Sequence, residues 1–107
     1  MKNLNIIKKN QDFQKIIGLK NYKNSKSFVI YYRNNNNLFK YGVSVGKKLG
    51  NAVLRNYIKR VTRSIVYDLL EKFEHKKVDV VIIVKASFLE LSYDENHKQL
   101  DKVLLSI

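Results

Sequence analysis

Cysteine is absent from this 107-residue chain, which removes disulfides and thiolate metal sites from consideration. Histidine is scarce: His75 and His97 stand alone, with no His-x-x-x-His pair to hold a metal. Long apolar runs are missing as well. The longest strictly apolar stretch, Val80–Val84, is far too short to cross a bilayer. The first nine residues, Met1 to Lys9, lack the uninterrupted apolar segment of a signal peptide. With no repeat and no linker in sight, the expectation is a single cytoplasmic domain over residues 1–107, with one core. The absence that says most is of carboxylates: from Phe13 to Tyr67 there is none.

What is present is positive charge, unevenly placed. The net charge is +12, from 21 Lys and Arg against 9 Asp and Glu. Residues 1–67 carry 15 basic side chains and one acid, Asp12, whereas residues 68–107 carry six basic side chains and eight acids. A bias towards Lys raises the total but does not produce an acid-free half beside an acidic one. Such asymmetry in a chain that is 45% hydrophobic, and hence foldable, points to a polyanionic partner, nucleic acid before membrane.

The charge is most concentrated between Lys47 and Arg63, where Lys47, Lys48, Arg55, Lys59, Arg60 and Arg63 are interleaved with Asn51 and Asn56. If the chain is helical from Ala52, the ~100° turn per residue places Arg55, Asn56, Lys59, Arg60 and Arg63 within an arc of ~140°. Leu54, Ile58, Val61, Ile65 and Leu69 make the opposite stripe, spaced for docking on a core. A solvated helix normally mixes signs at i, i+4. This one does not, so its cations repel one another until a polyanion neutralises them. Arg forks, Lys point charges and Asn amides suit phosphate, ribose and base edges, and a helix N-terminus beside Lys47 and Lys48 adds backbone N–H groups for an anion.

The remaining elements follow from local signals. A first helix is expected from Gln11 to about Ile17, with Asn10 as N-cap and Gly18 closing it in a left-handed conformation. Lys20–Lys26 reads as a basic loop, Phe28–Arg33 as a strand, and Asn34–Asn37 as a turn into a second strand over Phe39–Val45, antiparallel to the first. Val78–Val84 reads as a strand covered on both faces. Ser92-Tyr93-Asp94-Glu95 matches a capping box that opens a last helix reaching Leu104. The class is α+β, helices against a small mixed sheet.

Nothing in this pattern builds an autonomous catalyst. Neither histidine has supporting groups, Asp94 and Glu95 are better explained by the helix dipole and capping box, and Asp68, Glu71 and Glu74 look like a solvated face. Gly42, Gly46 and Gly50 are not followed by the Lys-Ser/Thr of a phosphate loop. Binding is better supplied. Alternation along the first strand puts Tyr31 and Arg33 on one face, away from Phe28 and Ile30, so Tyr31 is a candidate stacking platform for unpaired bases. Phe13, taken alone, fits a core position better than a stacking one. No zinc ligands, heptads or helix-turn-helix pair suggest a DNA reader.

The stretch Tyr41-Gly42-Val43-Ser44-Val45-Gly46-Lys47-Lys48-Leu49-Gly50-Asn51-Ala52-Val53-Leu54-Arg55-Asn56-Tyr57-Ile58-Lys59-Arg60 resembles the signature of the bacterial ribonuclease P protein subunit. Weaker similarity extends to Asp12-Phe13, to Phe28-Val29 leading to Tyr31, and to the strand from Val78. The resemblance implies a two-layer sandwich of αβββαβα order with a left-handed βαβ crossover, against the general right-handed rule. It implies that a catalytic RNA with Mg²⁺, held mainly by that RNA and its substrate, cuts precursor tRNA to give the mature 5′ end. Lys47, Lys48, Asn51, Arg55, Asn56, Lys59, Arg60 and Arg63 match the motif that faces the catalytic RNA. Phe13 and Tyr31 match the cleft for the single-stranded 5′ leader, with Arg33 beside Tyr31. Neither membrane nor DNA is an expected partner. Three positions depart from the pattern: Tyr57 stands where an Arg is usual, Gly46 replaces a common Ser, and Ile17 takes a position often aromatic. The rival reading is a ribosomal or other structural RNA-binding protein; a DNA-binding module and an autonomous nuclease follow at a distance.

Overall fold

The fold is known from a computed structural model that describes residues 5–107. In chain order the elements are α1 (Asn10–Gly18), β1 (Tyr22–Asn24), β2 (Phe28–Asn34), β3 (Lys40–Ser44), α2 (Ala52–Phe73), β4 (Val78–Val84) and α3 (Tyr93–Leu105). Short 3-10 turns at Lys47–Leu49 and Ala86–Glu90 precede α2 and α3. The order is the expected αβββαβα.

The four strands form one mixed sheet in the order β1-β2-β4-β3. β2 runs antiparallel to β1 and to β4, whereas β3 and β4 are parallel neighbours joined through α2. Here the sequence reading needs two corrections. β2 and β3 do run in opposite directions, but they are not partners, because β4 inserts between them. The segment read as a basic loop, Lys20–Lys26, contains an edge strand, β1, whose three residues are all exposed. Only hydrogen bonding to β2 makes it a strand, and no local apolar alternation announces it.

β4 is central and covered on both faces, as its near-continuous apolar run requires. Its alternate residues serve two cores. Val80, Ile82 and Val84 join Phe28, Ile30, Tyr41, the buried stripe of α2 (Ile58, Ile65, Leu69, Phe73) and Leu100, Val103 and Leu104 of α3. Val81 joins Ile7 and Ile16 on the other face, with Phe13, Ile17, Tyr31 and Ile83 packed around them. So α2 and α3 cover one face of the sheet, and the two-turn α1 covers only part of the other. The outer edge of β3 is sealed by residues 5–7: the Ile7 N–H donates to the Tyr41 carbonyl at 2.8 Å, and the Asn5 side-chain amide donates to the Phe39 carbonyl at 2.7 Å.

The helix ends show what local signals can and cannot specify. Asn51 caps α2, its Oδ1 accepting the Leu54 N–H at 2.9 Å, and Ser92 with Glu95 forms the full capping box of α3. At α1 the boundaries shift. Lys9, not Asn10, is the N-cap, and it offers no side-chain acceptor. Gly18 stays helical, and the left-handed position falls at Lys20, with φ 59°. The helix runs one residue further at each end than the local signals place it, with Ile16 fully buried beneath it.

Candidate nucleic-acid interface

The approach to α2 is a built turn. The 3-10 turn at Lys47–Leu49 leads into Gly50, whose φ of +147° lies in a region that side chains avoid. A Cβ there would also lie 2.6 Å from Cδ2 of Leu54. Arg55 folds back so that its Nε donates to the Gly50 carbonyl at 3.2 Å. Gly50, Asn51 and Arg55 thus clip the turn to the first turn of the helix, leaving Lys47 and Lys48 exposed beside its N-terminus. Asn51, read from sequence as an RNA contact, spends its side-chain oxygen on the cap; its NH₂ group is the part left to donate outward. Gly46 has an ordinary extended conformation and open space around its Cα, so the turn does not depend on a glycine there.

From there Arg55, Asn56, Lys59, Arg60 and Arg63 line the outward side of α2, with Arg55 and Lys59 partly buried and the other three exposed. Ion pairs among the described residues join Arg33 to Asp12 and Asp79, and Lys72 to Asp101. None involves Lys47, Lys48, Arg55, Lys59, Arg60 or Arg63. The charge of Arg63 is felt inside the protein: burial raises the Tyr41 hydroxyl above its ordinary pKa, and Arg63 opposes that rise. The nearest acid along the helix, Asp68, accepts a hydrogen bond from the Tyr93 hydroxyl at 3.1 Å.

The second surface is the half of the sheet that α1 leaves uncovered. Phe13 reaches from α1 onto the middle of β3 and lies against Gly42, where a Cβ would come within 2.1 Å of the ring Cζ. It is half-buried and belongs to the minor core, which is the packing role its sequence context favoured. Tyr31 stands on the same face of the sheet, also half-buried, with the Tyr22 ring 5.4 Å from its own. Tyr22 is 53% exposed and extends this aromatic surface to the sheet edge. It was missed in the sequence because β1 was missed. The Tyr22↔Tyr31 register makes it visible only once the strands are paired. Ile17 packs into the minor core as well.

Arg33 lies two residues from Tyr31 on the same strand face, but it is tied down. Its Nε donates to Oδ2 of the buried Asp79 at 2.8 Å, and one Nη lies 4.0 Å from Asp12. Asn35 donates to the other Asp79 oxygen at 2.7 Å. Arg33 also helps line a pocket of about 460 Å³ with Lys8, Lys9, Lys15 and Lys40. These four lysines bring cations from three separate segments to one place, a convergence that no local pattern signals. His75 is exposed, and the ring of His97 lies 6.2 Å from that of Tyr93. Among the described residues no three His, Asp or Glu side chains come together to hold a metal ion. No helix among those residues is long and apolar enough to cross a membrane.

Fold and surface together define a small basic α+β domain with an unpaired cationic helix face beside a half-open aromatic sheet. A family model described as Ribonuclease P matches residues 1–107, and the chain belongs to that family. It is 45% identical over 106 residues to the ribonuclease P protein component of Mesoplasma florum, covering 98% of this chain and 96% of that one. The Bacillus pumilus ribonuclease P protein component is 37% identical over 102 residues, 94% of this chain and 85% of its own. The solved Staphylococcus aureus RNase P protein superposes with a TM-score of 0.80 at 36% identity, over 94% of this chain and 92% of that one. The Thermotoga maritima RNase P protein gives 0.81 at 26% identity, over 94% and 96%.

Proposed function

We propose that this chain is the protein subunit of a ribonuclease P ribonucleoprotein, acting in the cytoplasm on precursor tRNA. Lys47, Lys48, Asn51, Arg55, Asn56, Lys59, Arg60 and Arg63 grip the catalytic RNA, while Phe13, Tyr31 and Arg33 line the cleft for the single-stranded 5′ leader. The observation that carries this reading is that a single strand, β3, ties two unlike surfaces together. Gly42 lies under the cleft-side ring of Phe13, and Lys47 follows Ser44, the last residue of the same strand, by three residues. An RNA backbone held by the cationic turn is thereby adjacent to a groove where unpaired bases stack.

The hydrolytic step belongs to the RNA and its Mg²⁺ ions. The protein contributes charge neutralisation, leader binding and a preference for precursor over product.

The test is cleavage of precursor tRNA at low Mg²⁺ by the source organism's ribonuclease P RNA, with and without this protein. Strong stimulation, with no cutting by the protein alone, is the expected result. Absence of stimulation by folded protein would reassign the chain to structural RNA binding.

A further inference from the structure

The cations of α2 do not use all of its outward side. Tyr57, Arg60, Ser64 and Tyr67 recur at i, i+3, i+7 and i+10, which puts them on one stripe beside the Arg55–Lys59–Arg63 row. Two tyrosines on that stripe are unusually open: Tyr57 is 52% and Tyr67 54% exposed. Around Tyr67 the surface dips into a shallow pocket of about 320 Å³ lined by Arg60, Arg63, Ser64 and Tyr67. Its rim is held from below by α3. The Tyr93 hydroxyl lies 3.1 Å from the Ser64 hydroxyl and donates to Asp68 at 3.1 Å, so the Asp68 carboxylate is turned to a partner, while Glu71 lies on the far side of Tyr67 from the arginines. Neither Arg60 nor Arg63 enters an ion pair among the described residues.

We infer that this pocket adds a stacking site to the RNA-gripping face of α2, a platform on Tyr67 for one unpaired nucleotide of the catalytic RNA, with Arg60 and Arg63 shared between the two. The base lies on the Tyr67 ring, and the neighbouring phosphate is taken by the forks of Arg60 and Arg63. The inference rests on the reading of α2 as the RNA-facing helix and adds to it a contact of different chemistry. Charge complementarity selects the occupant. An aromatic face set between two unpaired guanidiniums suits a ligand that combines a π-surface with a phosphate, and guanidinium planes also stack. A purely apolar partner would leave both arginines desolvated and unpaired.

The experiment measures binding of the full-length protein to the cognate ribonuclease P RNA transcript over a range of salt concentrations. It compares wild type with Tyr67→Ala, Tyr67→Leu and Tyr67→Phe, and with an Arg55→Ala/Lys59→Ala variant that lies outside the pocket. Circular dichroism on each variant verifies folding, and the exposure of Tyr67 makes all three of its substitutions tolerable. Stacking predicts that Ala and Leu lose affinity about 5- to 30-fold while the salt slope is unchanged, and that Phe binds like wild type. Unchanged affinity for Tyr67→Ala beside a loss for Arg55→Ala/Lys59→Ala would overturn the platform and leave the RNA-facing helix standing. Full affinity for Leu would replace stacking by simple apolar contact. A loss for Phe equal to that for Ala would replace it by a hydroxyl contact. If the Arg55/Lys59 variant also binds normally, the RNA-facing reading of α2 itself fails.

Discussion

Phe13 and Gly42 occupy each other's space: the ring of Phe13 covers the Cα of Gly42 so closely that a methyl group there would sit 2.1 Å from Cζ and 2.6 Å from Cε1. Gly42 is therefore a packing requirement of the cleft, set by a helix residue 29 positions earlier. Gly42→Ala is expected to push Phe13 off the sheet at a cost of about 1–3 kcal/mol, the usual range for overpacking. Urea unfolding of Gly42→Ala, Phe13→Leu and the double variant gives the check. Strong non-additivity is expected, and simple addition would mean that the two residues do not share the site.

The row on α2 makes a prediction about salt. Replacing Arg55, Lys59 and Arg63 together with Ala should weaken binding to the catalytic RNA and flatten its dependence on log salt, by up to about 0.9 for each phosphate contact removed. An unchanged slope would exclude this face as the RNA surface.

The cleft makes a prediction about substrates. Tyr31→Ala should cost about 1–3 kcal/mol in holoenzyme affinity for precursor tRNA with a 5′ leader and little for mature tRNA. Equal losses on both would remove the cleft from leader binding. Tyr31→Phe keeps the ring and should behave as wild type.

Asp79 supplies a stability test. It is 6% exposed, and its two oxygens are shared between Arg33 and Asn35. Arg33→Met removes the cation and leaves the carboxylate with one amide. The expected loss is about 1–3 kcal/mol, larger than for removing a solvated surface pair. A change below half a kcal/mol, roughly the surface-substitution range, would show that the pair is structurally idle.

The capping box of α3 makes stability depend on acid. Hydrogen bonding from Ser92, first of all its backbone N–H donating to Oε1 at 3.2 Å and then its side chain, holds the Glu95 carboxyl below its ordinary pKa. A carboxylate lowered by folding adds stability above its unfolded value, about 4.3, and loses that contribution as pH falls through the lowered one. Glu95→Gln keeps a box-competent side chain without the titration. Its urea midpoint should fall less steeply than that of wild type below about pH 4.3. Parallel curves for the two proteins would contradict the assignment.

Much of this architecture was legible locally. The apolar run of β4 declared a strand buried on both faces, the Ser92–Glu95 spacing declared α3, and the unmixed charges after Ala52 declared a helix with one solvent face and one core face. What stayed hidden is non-local. The run Asn34–Asn37 suits a hairpin turn equally well whether β3 pairs with β2 or is displaced by β4, and only tertiary pairing decides. β1 has three exposed residues and no pattern of its own. The Arg33–Asp79 pair spans 46 positions, and the lysines at 8, 9, 15 and 40 converge only through the fold. The Gly18 assignment failed: the helix runs through that local stop signal, and the left-handed position falls at Lys20.

The position of β4 has a consequence for how the chain comes off the ribosome. This strand is the last of the four to be synthesised, yet it is the one that joins β2 to β3. Until Val84 has emerged, the β1–β2 pair and β3 share no sheet, and the buried stripe of α2 lacks the central strand of its docking surface. Every cation of the α2 row is therefore translated before the fold that aligns them exists. Assembly of that face waits for the seven residues of β4, which follow it in the chain.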